Sequence, residues 1–157
     1  MYTLIREQWI PCPQEQVFQF FADAQNLEVL TPPWLKFRIV TPTPIEIDQG
    51  TEIDYLLCLG IVRLRWKTVI THWSPPHFFV DVQRGGPYRF WEHTHTFRKE
   101  GPGTRMFDTV RYELPLGVLG RMVNALKVRP DLERIFDYRA EKIEEIFSRT
   151  PQPSLGH

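Results

Sequence analysis

The sequence is poor in the features from which redox, secretory or nucleic-acid-binding proteins are built. Cysteine occurs only at Cys12 and Cys58, far apart and in no ligand-like spacing, which argues against a disulfide framework and for reduced, buried thiols. Neither sign of charge predominates. Nineteen basic residues offset 19 acidic ones, so no overall field draws the chain to nucleic acid or to an anionic membrane, although a local patch is not excluded. The opening MYTLIREQWIPCPQ has no basic segment followed by a long apolar run, and no apolar stretch approaches a membrane span. The expectation is a cytoplasmic protein without stable membrane insertion. Repeats, low-complexity blocks and internal linkers are also lacking, and no Ser or Cys sits in a recognisable nucleophile motif.

What is plentiful is aromatic and apolar surface. Of 157 residues, 13% are aromatic and 42% hydrophobic, enough for a single core of useful size. One domain is expected over 1–149, followed by a polar Pro/Gly tail, flexible, over 150–157.

The stretch GPYRFWEHTHTFRKEGPGTRMFDTVRYELP (86–115) concentrates the chemistry. Two alternating runs meet at a Gly/Pro turn and read as an antiparallel hairpin. Arg89, Trp91, His93, His95 and Phe97 share one face of the first run; Met106, Asp108, Val110, Tyr112 and Leu114 share one face of the second. Pairing Lys99 with Thr104 across Glu100–Gly103 sets Phe97 against Met106, His95 against Asp108, His93 against Val110 and Trp91 against Tyr112. The same register places Glu92 opposite Arg111 outside, a favourable cross-strand pair. The result is an aromatic wall with embedded histidines and a carboxylate.

Elsewhere, strands are expected at Tyr2 to Ile10, Lys36 to Thr41, Thr51 to Leu57, Val62 to Trp73 and His77 to Arg84, separated by Pro, Gly or Asp signals. Pro13 suits a first helical position before the stripe Val17, Phe20, Phe21, Ala24, and Asn26 to Leu30 makes a second short helix stopped by Thr31-Pro32-Pro33. After Pro115 the period becomes helical. Leu119, Met122, Val123 and Leu126 form a short apolar stripe; Leu132, Ile135, Phe136, Arg139, Ile143, Ile146 and Phe147 form a longer one. The fold class is therefore α+β, a curved seven-stranded antiparallel sheet wrapped round a long C-terminal helix, with two short helices between the first two strands. Such a sheet tends to enclose a cavity, of ~300 to 1,000 Å³ for a drug-sized ligand.

This order of segments resembles the START-like or SRPBCC helix-grip superfamily, and within it the polyketide cyclase/dehydrase-like ligand-binding subgroup. The resemblance is carried by LTPPWLKFRI (30–39), GTEIDYLL (50–57), WKTVITHWSPPHFFVDVQ (66–83), GPYRFWEHTHTF (86–97), GTRMFDTVRYELPLG (103–117) and IFDYR (135–139), and it covers nearly the whole chain. It implies a deep, mostly apolar cavity for a lipid, polyketide, aromatic or isoprenoid molecule, and no cofactor. The fold hosts carriers, sensors and cyclases alike, so the activity has to be argued from the site.

The expected lining is Trp34, Tyr55, Trp66, Ile70, His72, Trp91, His93, His95, Phe97, Met106, Asp108, Tyr112, Phe136 and Arg139. Trp66, Ile70 and His72 share a strand face with Leu64 and Thr68; Trp34 lies in an apolar loop where a helix-grip pocket commonly opens. Arg139 falls on the apolar helix stripe, where it either bonds a ligand's polar end or snorkels to the rim. Asp81 and Gln83 alternate with Val80 and Val82, and which set faces inward is left open. His95 with Asp108 reads as an oriented acid/base dyad of a cyclase or dehydratase, or as a buried polar pair pinning the hairpin. A metal held by His93, His95 and Asp108 fits the spacing but is set aside, since the resembled family is not known for one and such histidines usually just satisfy their hydrogen bonds. Binding of a small hydrophobic molecule is the favoured reading; an enzyme and a lipid or quinone carrier are the alternatives.

Overall fold

Period-two patterning becomes strand wherever the sequence carries it. In the computed structural model, which describes residues 1–149, the strands are β1 (Tyr2–Ile10), β2 (Arg38–Ile39), β3 (Glu52–Leu59), β4 (Val62–Ser74), β5 (Phe78–Gly85), β6 (Phe90–Glu100) and β7 (Gly103–Glu113). The tail expected at 150–157 lies outside the described residues. All neighbours are antiparallel, and the seven strands form one sheet in the order β1-β7-β6-β5-β4-β3-β2. Helices α1 (Gln14–Ala22) and α2 (Asn26–Leu30) join β1 to β2. After β7 come α3 (Gly117–Val123), a wider turn over Asn124–Val128, and α4 (Arg129–Ser148). The expected α+β helix-grip architecture is the one observed.

The β6–β7 register is the expected one, with Lys99 opposite Thr104, His95 opposite Asp108 and Trp91 opposite Tyr112. On the outer face Arg111 donates to Glu92 at 3.1 Å. Gly103 shows why the turn needs glycine. A Cβ there would collide with the Ile10 carbonyl and the Trp9 indole of β1, so only a bare backbone lets β1 close over the hairpin.

Two local expectations are corrected. The strand expected from Lys36 shrinks to Arg38–Ile39, because the tight turn Pro33–Leu35 and a left-handed Lys36 (φ 45°) take up its start. In β4 the register against β5 shifts between Ile70 and His72, and this bulge resets the alternation. Ile70 stays inside, exposed His72 turns to the outer face, and Trp73 takes the inward position against Phe18 and Phe79. The stripe of Leu119, Met122 and Leu126 is helical as expected, but these residues are exposed, because this segment packs mainly on its own continuation into α4.

Between sheet and α4 the core divides in two. One half gathers Phe18, Phe21, Phe79, Phe97, Met106 and Phe147 under α1; the other gathers Tyr55, Trp66, Trp91, Tyr112, Leu132 and Phe136. Along β6 the sequence Trp91, His93, His95, Phe97 passes from one half to the other through histidines, and β7 does so through Asp108 between Val110 and Met106. On α4, buried Arg139 lies between Phe136 and Ile143. A polar belt thus crosses the apolar interior.

The close approach at Gly103 generates a test. Gly103→Ala should lower stability by about 1–3 kcal/mol through overpacking. Urea denaturation followed by far-UV circular dichroism measures it, and an unchanged midpoint contradicts the packing described.

Candidate functional site

The belt is assembled from residues of four elements. β6 contributes His93 and His95, whose rings lie tilted with centroids 3.7 Å apart, β5 contributes Asp81, β7 Asp108 and α4 Arg139. His93 Nε2 lies 2.8 Å from Asp108 Oδ1, and His95 Nε2 lies 2.8 Å from Asp81 Oδ2. His95 Nδ1 sits 3.1 Å from Asp108 Oδ1, an electrostatic contact without hydrogen-bond alignment, and Arg139 Nε lies 3.5 Å from Asp108 Oδ2. On the other side Thr68 of β4 donates to Asp81 Oδ1 at 3.4 Å and to the Val82 carbonyl at 3.2 Å.

The expected dyad is therefore corrected in its partners. His95 stands opposite Asp108 in the backbone ladder, yet its hydrogen bond goes to Asp81, while Asp108 bonds His93. Both bonds are diagonal. Asp81 is paired with His93 and His95 with Phe79, while Val110 is paired with His93, so each histidine reaches two residues along the neighbouring strand, as diagonal neighbours on one sheet face do. Phe79 stacks on His95 with centroids 4.2 Å apart and closes the side that faces the Phe-rich half.

Charge keeps the two carboxylates of the belt ionised in a buried interior. Burial alone pushes the Asp108 carboxyl up, but the Arg139 charge and the bonds from His93 and His95 more than reverse it and hold it well below the usual carboxylate range. Asp81 also ends below its ordinary value, burial being outweighed chiefly by His95. His93 is pushed down, first by burial and then by the neighbouring imidazole. His95 is raised, because the carboxylates on its two sides overcome burial. Asp108 is the ion on which three other charged or polar groups converge.

Above the belt lies a cavity of about 220 Å³. Its wall includes Tyr55, Trp66, Ile70, Trp91 and Phe136, its floor Asp81, His93, His95 and Arg139, and exposed Asp23 and Leu59 form part of its rim. This is smaller than the volume expected from the sequence, because interlocked aromatic rings occupy much of the space: Trp91 meets Trp66 edge-on at 5.2 Å, and Tyr88 meets Trp91 at 4.7 Å. Trp66 Nε1 is buried and has no hydrogen-bond partner among the described residues.

Of the residues expected to line the pocket, Tyr55, Trp66, Ile70, Trp91, His93, His95, Phe136 and Arg139 do so. The others are placed differently. Phe97 and Met106 are buried in the half under α1 and do not line this cavity, with Phe97 against Phe18 and Phe21. Tyr112 is fully buried and donates to Asn124 Oδ1 at 2.7 Å, tying β7 to the wide helical turn. Asp108 lies behind the histidines and borders a smaller pocket with Arg6, Met106 and Arg139. Trp34 is swung outward by the Pro33–Leu35 turn onto Tyr138 and Arg134, and Leu35 takes its place on the wall. His72 is excluded by the bulge already described. Asp81 resolves the open question of β5, since Phe79 and Asp81 face the cavity. Asn124 carried no periodic signal in the sequence; only the turn that breaks the helix directs it inward.

The arrangement defines a helix-grip protein with an aromatic cavity above a buried charged belt. Residues 10–136 match the family described as polyketide cyclase / dehydrase and lipid transport, and the chain belongs to that family. Solved structures share the fold. A protein from Thermus thermophilus is 23% identical with a TM-score of 0.65, covering 92% of this chain and 99% of its own. A START superfamily protein from Mycobacterium smegmatis is 15% identical with a TM-score of 0.67, covering 93% and 99%. A protein from Chromobacterium violaceum is 10% identical with a TM-score of 0.73, covering 94% and 98%. No curated protein matches the sequence. Among the described residues no helix is long and apolar enough to cross a membrane.

The Asp108–Arg139 contact is testable by a double-mutant cycle. Arg139→Met should destabilise by about 3–5 kcal/mol, as it leaves a buried carboxylate without its guanidinium, whereas Arg139→Met combined with Asp108→Asn should recover part of that loss. Additive losses in chemical denaturation would show that the two charges do not depend on each other.

Proposed function

We propose that the cavity binds a small, largely apolar molecule that carries one oxygen-bearing polar group. The observation that supports this most is Trp66, whose ring lines the same cavity as the polar belt and whose Nε1 is a buried donor without a partner among the described residues. A buried donor left unpaired costs free energy, and a ligand oxygen accepting from it recovers that cost. The aromatic rings around it supply flat apolar contact, which suits an aromatic or isoprenoid body. Both nitrogens of His95 face carboxylates, which favours binding over general-base catalysis by that residue.

Native mass spectrometry of the purified protein should reveal a co-purified small molecule, and titration with it should perturb the fluorescence of Trp66 and Trp91. Trp66→Phe should weaken binding by about 0.5–1.5 kcal/mol, the value of one hydrogen bond, while Leu57→Trp, which fills the cavity, should abolish it. A saturable signal that survives Leu57→Trp places the ligand elsewhere.

A second reading, delivery of that ligand to an anionic bilayer, is favoured by one end of the sheet. The β3–β4 turn and α3 both lie at the end where β7 stops and β6 starts. There Ile61, Val118, Leu119, Met122 and Leu126 are exposed beside Arg63 and Arg121, while Arg65, Lys67, Lys127 and Arg129 stand in ion pairs with Asp54, Glu52, Asp131 and Glu133. Exposed apolar side chains beside cations suit the interface of an anionic membrane. Co-sedimentation with phosphatidylserine-containing vesicles should be strong for the native chain, weak with pure phosphatidylcholine, and lost in Leu119→Glu/Met122→Glu. Equal sedimentation with both vesicle types would remove this reading.

A further inference from the structure

We infer that Asp81, His93 and His95 form a binding site for a divalent first-row transition ion, zinc or ferrous iron, at the floor of the cavity. The inference goes beyond ligand binding and does not require it. Ligand atoms of the three side chains all lie within 4.8 Å of one another. The front nitrogens, Nδ1 of His93 and Nε2 of His95, stand 3.8 Å and 2.8 Å from the same oxygen, Asp81 Oδ2. A tetrahedral ion with bonds of about 2.1 Å needs its ligand atoms about 3.4 Å apart. The two observed nitrogen–oxygen separations bracket that value, and rotation of the Asp81 carboxylate equalises them.

The surroundings are what distinguish this from three neighbouring polar residues. The back nitrogens, Nε2 of His93 and Nδ1 of His95, lie 2.8 Å and 3.1 Å from one atom, Asp108 Oδ1. A metal-bound histidine characteristically turns its other ring nitrogen to a carboxylate, which fixes the tautomer and strengthens the donor. Here Asp108 hydrogen-bonds the His93 ring and stands beside the His95 ring as a charge contact, and Arg139 Nε lies 3.5 Å from its other oxygen. The i, i+2 spacing on β6 keeps both imidazoles on one face, and Asp81 completes a two-histidine, one-carboxylate set with its open side towards the cavity. On binding, the ion replaces the proton that His95 Nε2 shares with Asp81; that proton leaves to solvent or moves to Nδ1, which faces Asp108.

The test uses the untagged full-length chain, stripped with a chelator and titrated with Co²⁺ as the probe. One Co²⁺ per chain with visible d–d absorption is expected, displaced by Zn²⁺ and confirmed as bound zinc by elemental analysis after gel filtration. Asp81→Asn and His93→Gln should each lose the absorption, and Asp108→Asn should weaken binding by about 10- to 100-fold through the orienting contact. Far-UV circular dichroism establishes that each variant is folded. Asp81 is only partly buried, so Asp81→Asn is the variant read if His93→Gln does not fold. Absence of stoichiometric Co²⁺ and Zn²⁺ in the native chain overturns the proposal, leaving the belt as an ion-pair network, and so does binding that persists in folded Asp81→Asn. Neither result touches ligand binding, because the titration contains no organic ligand.

Discussion

The buried carboxylate of Asp108 is the constraint on which the interior depends. It lies on β7 between the histidines of β6 and Arg139 of α4, and it takes a hydrogen bond from His93, a contact from His95 and the charge of Arg139. Burying a carboxylate is tolerable only with such partners, so the strand register and the placement of α4 have to be satisfied together. A slip of one residue in β7 would send Asp108 to the solvent face and leave Arg139 buried with no anion beside it. The belt accordingly acts as an alignment device between two apolar halves that, being non-directional, would tolerate several packings.

That device also shapes the cavity. Below the belt α1 covers the sheet, and Phe18, Phe79 and Phe97 pack ring against ring; above it Tyr55 stacks on Trp66, Trp66 meets Trp91 edge to face, and space is left. The cavity therefore has an apolar wall and an ionised floor, a combination that orients an asymmetric molecule. Arg139 lines both this cavity and the smaller pocket behind it, so it connects the two sides of the belt.

Much of the fold was legible because its signals are local. Alternation in 90–113 with a Gly/Pro turn selects one hairpin, and the pair Glu92/Arg111 confirms its register from outside. Proline positions mark both ends of the short helices. The candidate site was legible only in part. His93, His95 and Asp108 declared themselves by sharing faces of one hairpin, whereas Asp81 stood among valines on a strand whose two faces are similarly apolar. His72 and Trp34 misled for opposite reasons: a bulge interrupted the alternation before one, and a tight turn rotated the other onto α4.

Side-chain periodicity is a property of the chain, so the sequence by itself determined the seven strands, the long helix, the hairpin register and the presence of buried histidines. Which histidine meets which carboxylate was decided by tertiary structure, because sheet twist chooses between opposite and diagonal partners and the inward face of β5 is set by packing against the helix. The extent of the cavity was decided there too. Phe97 and Trp91 lie on the same face of the same strand, and only the position of α1 makes one solid core and the other cavity wall.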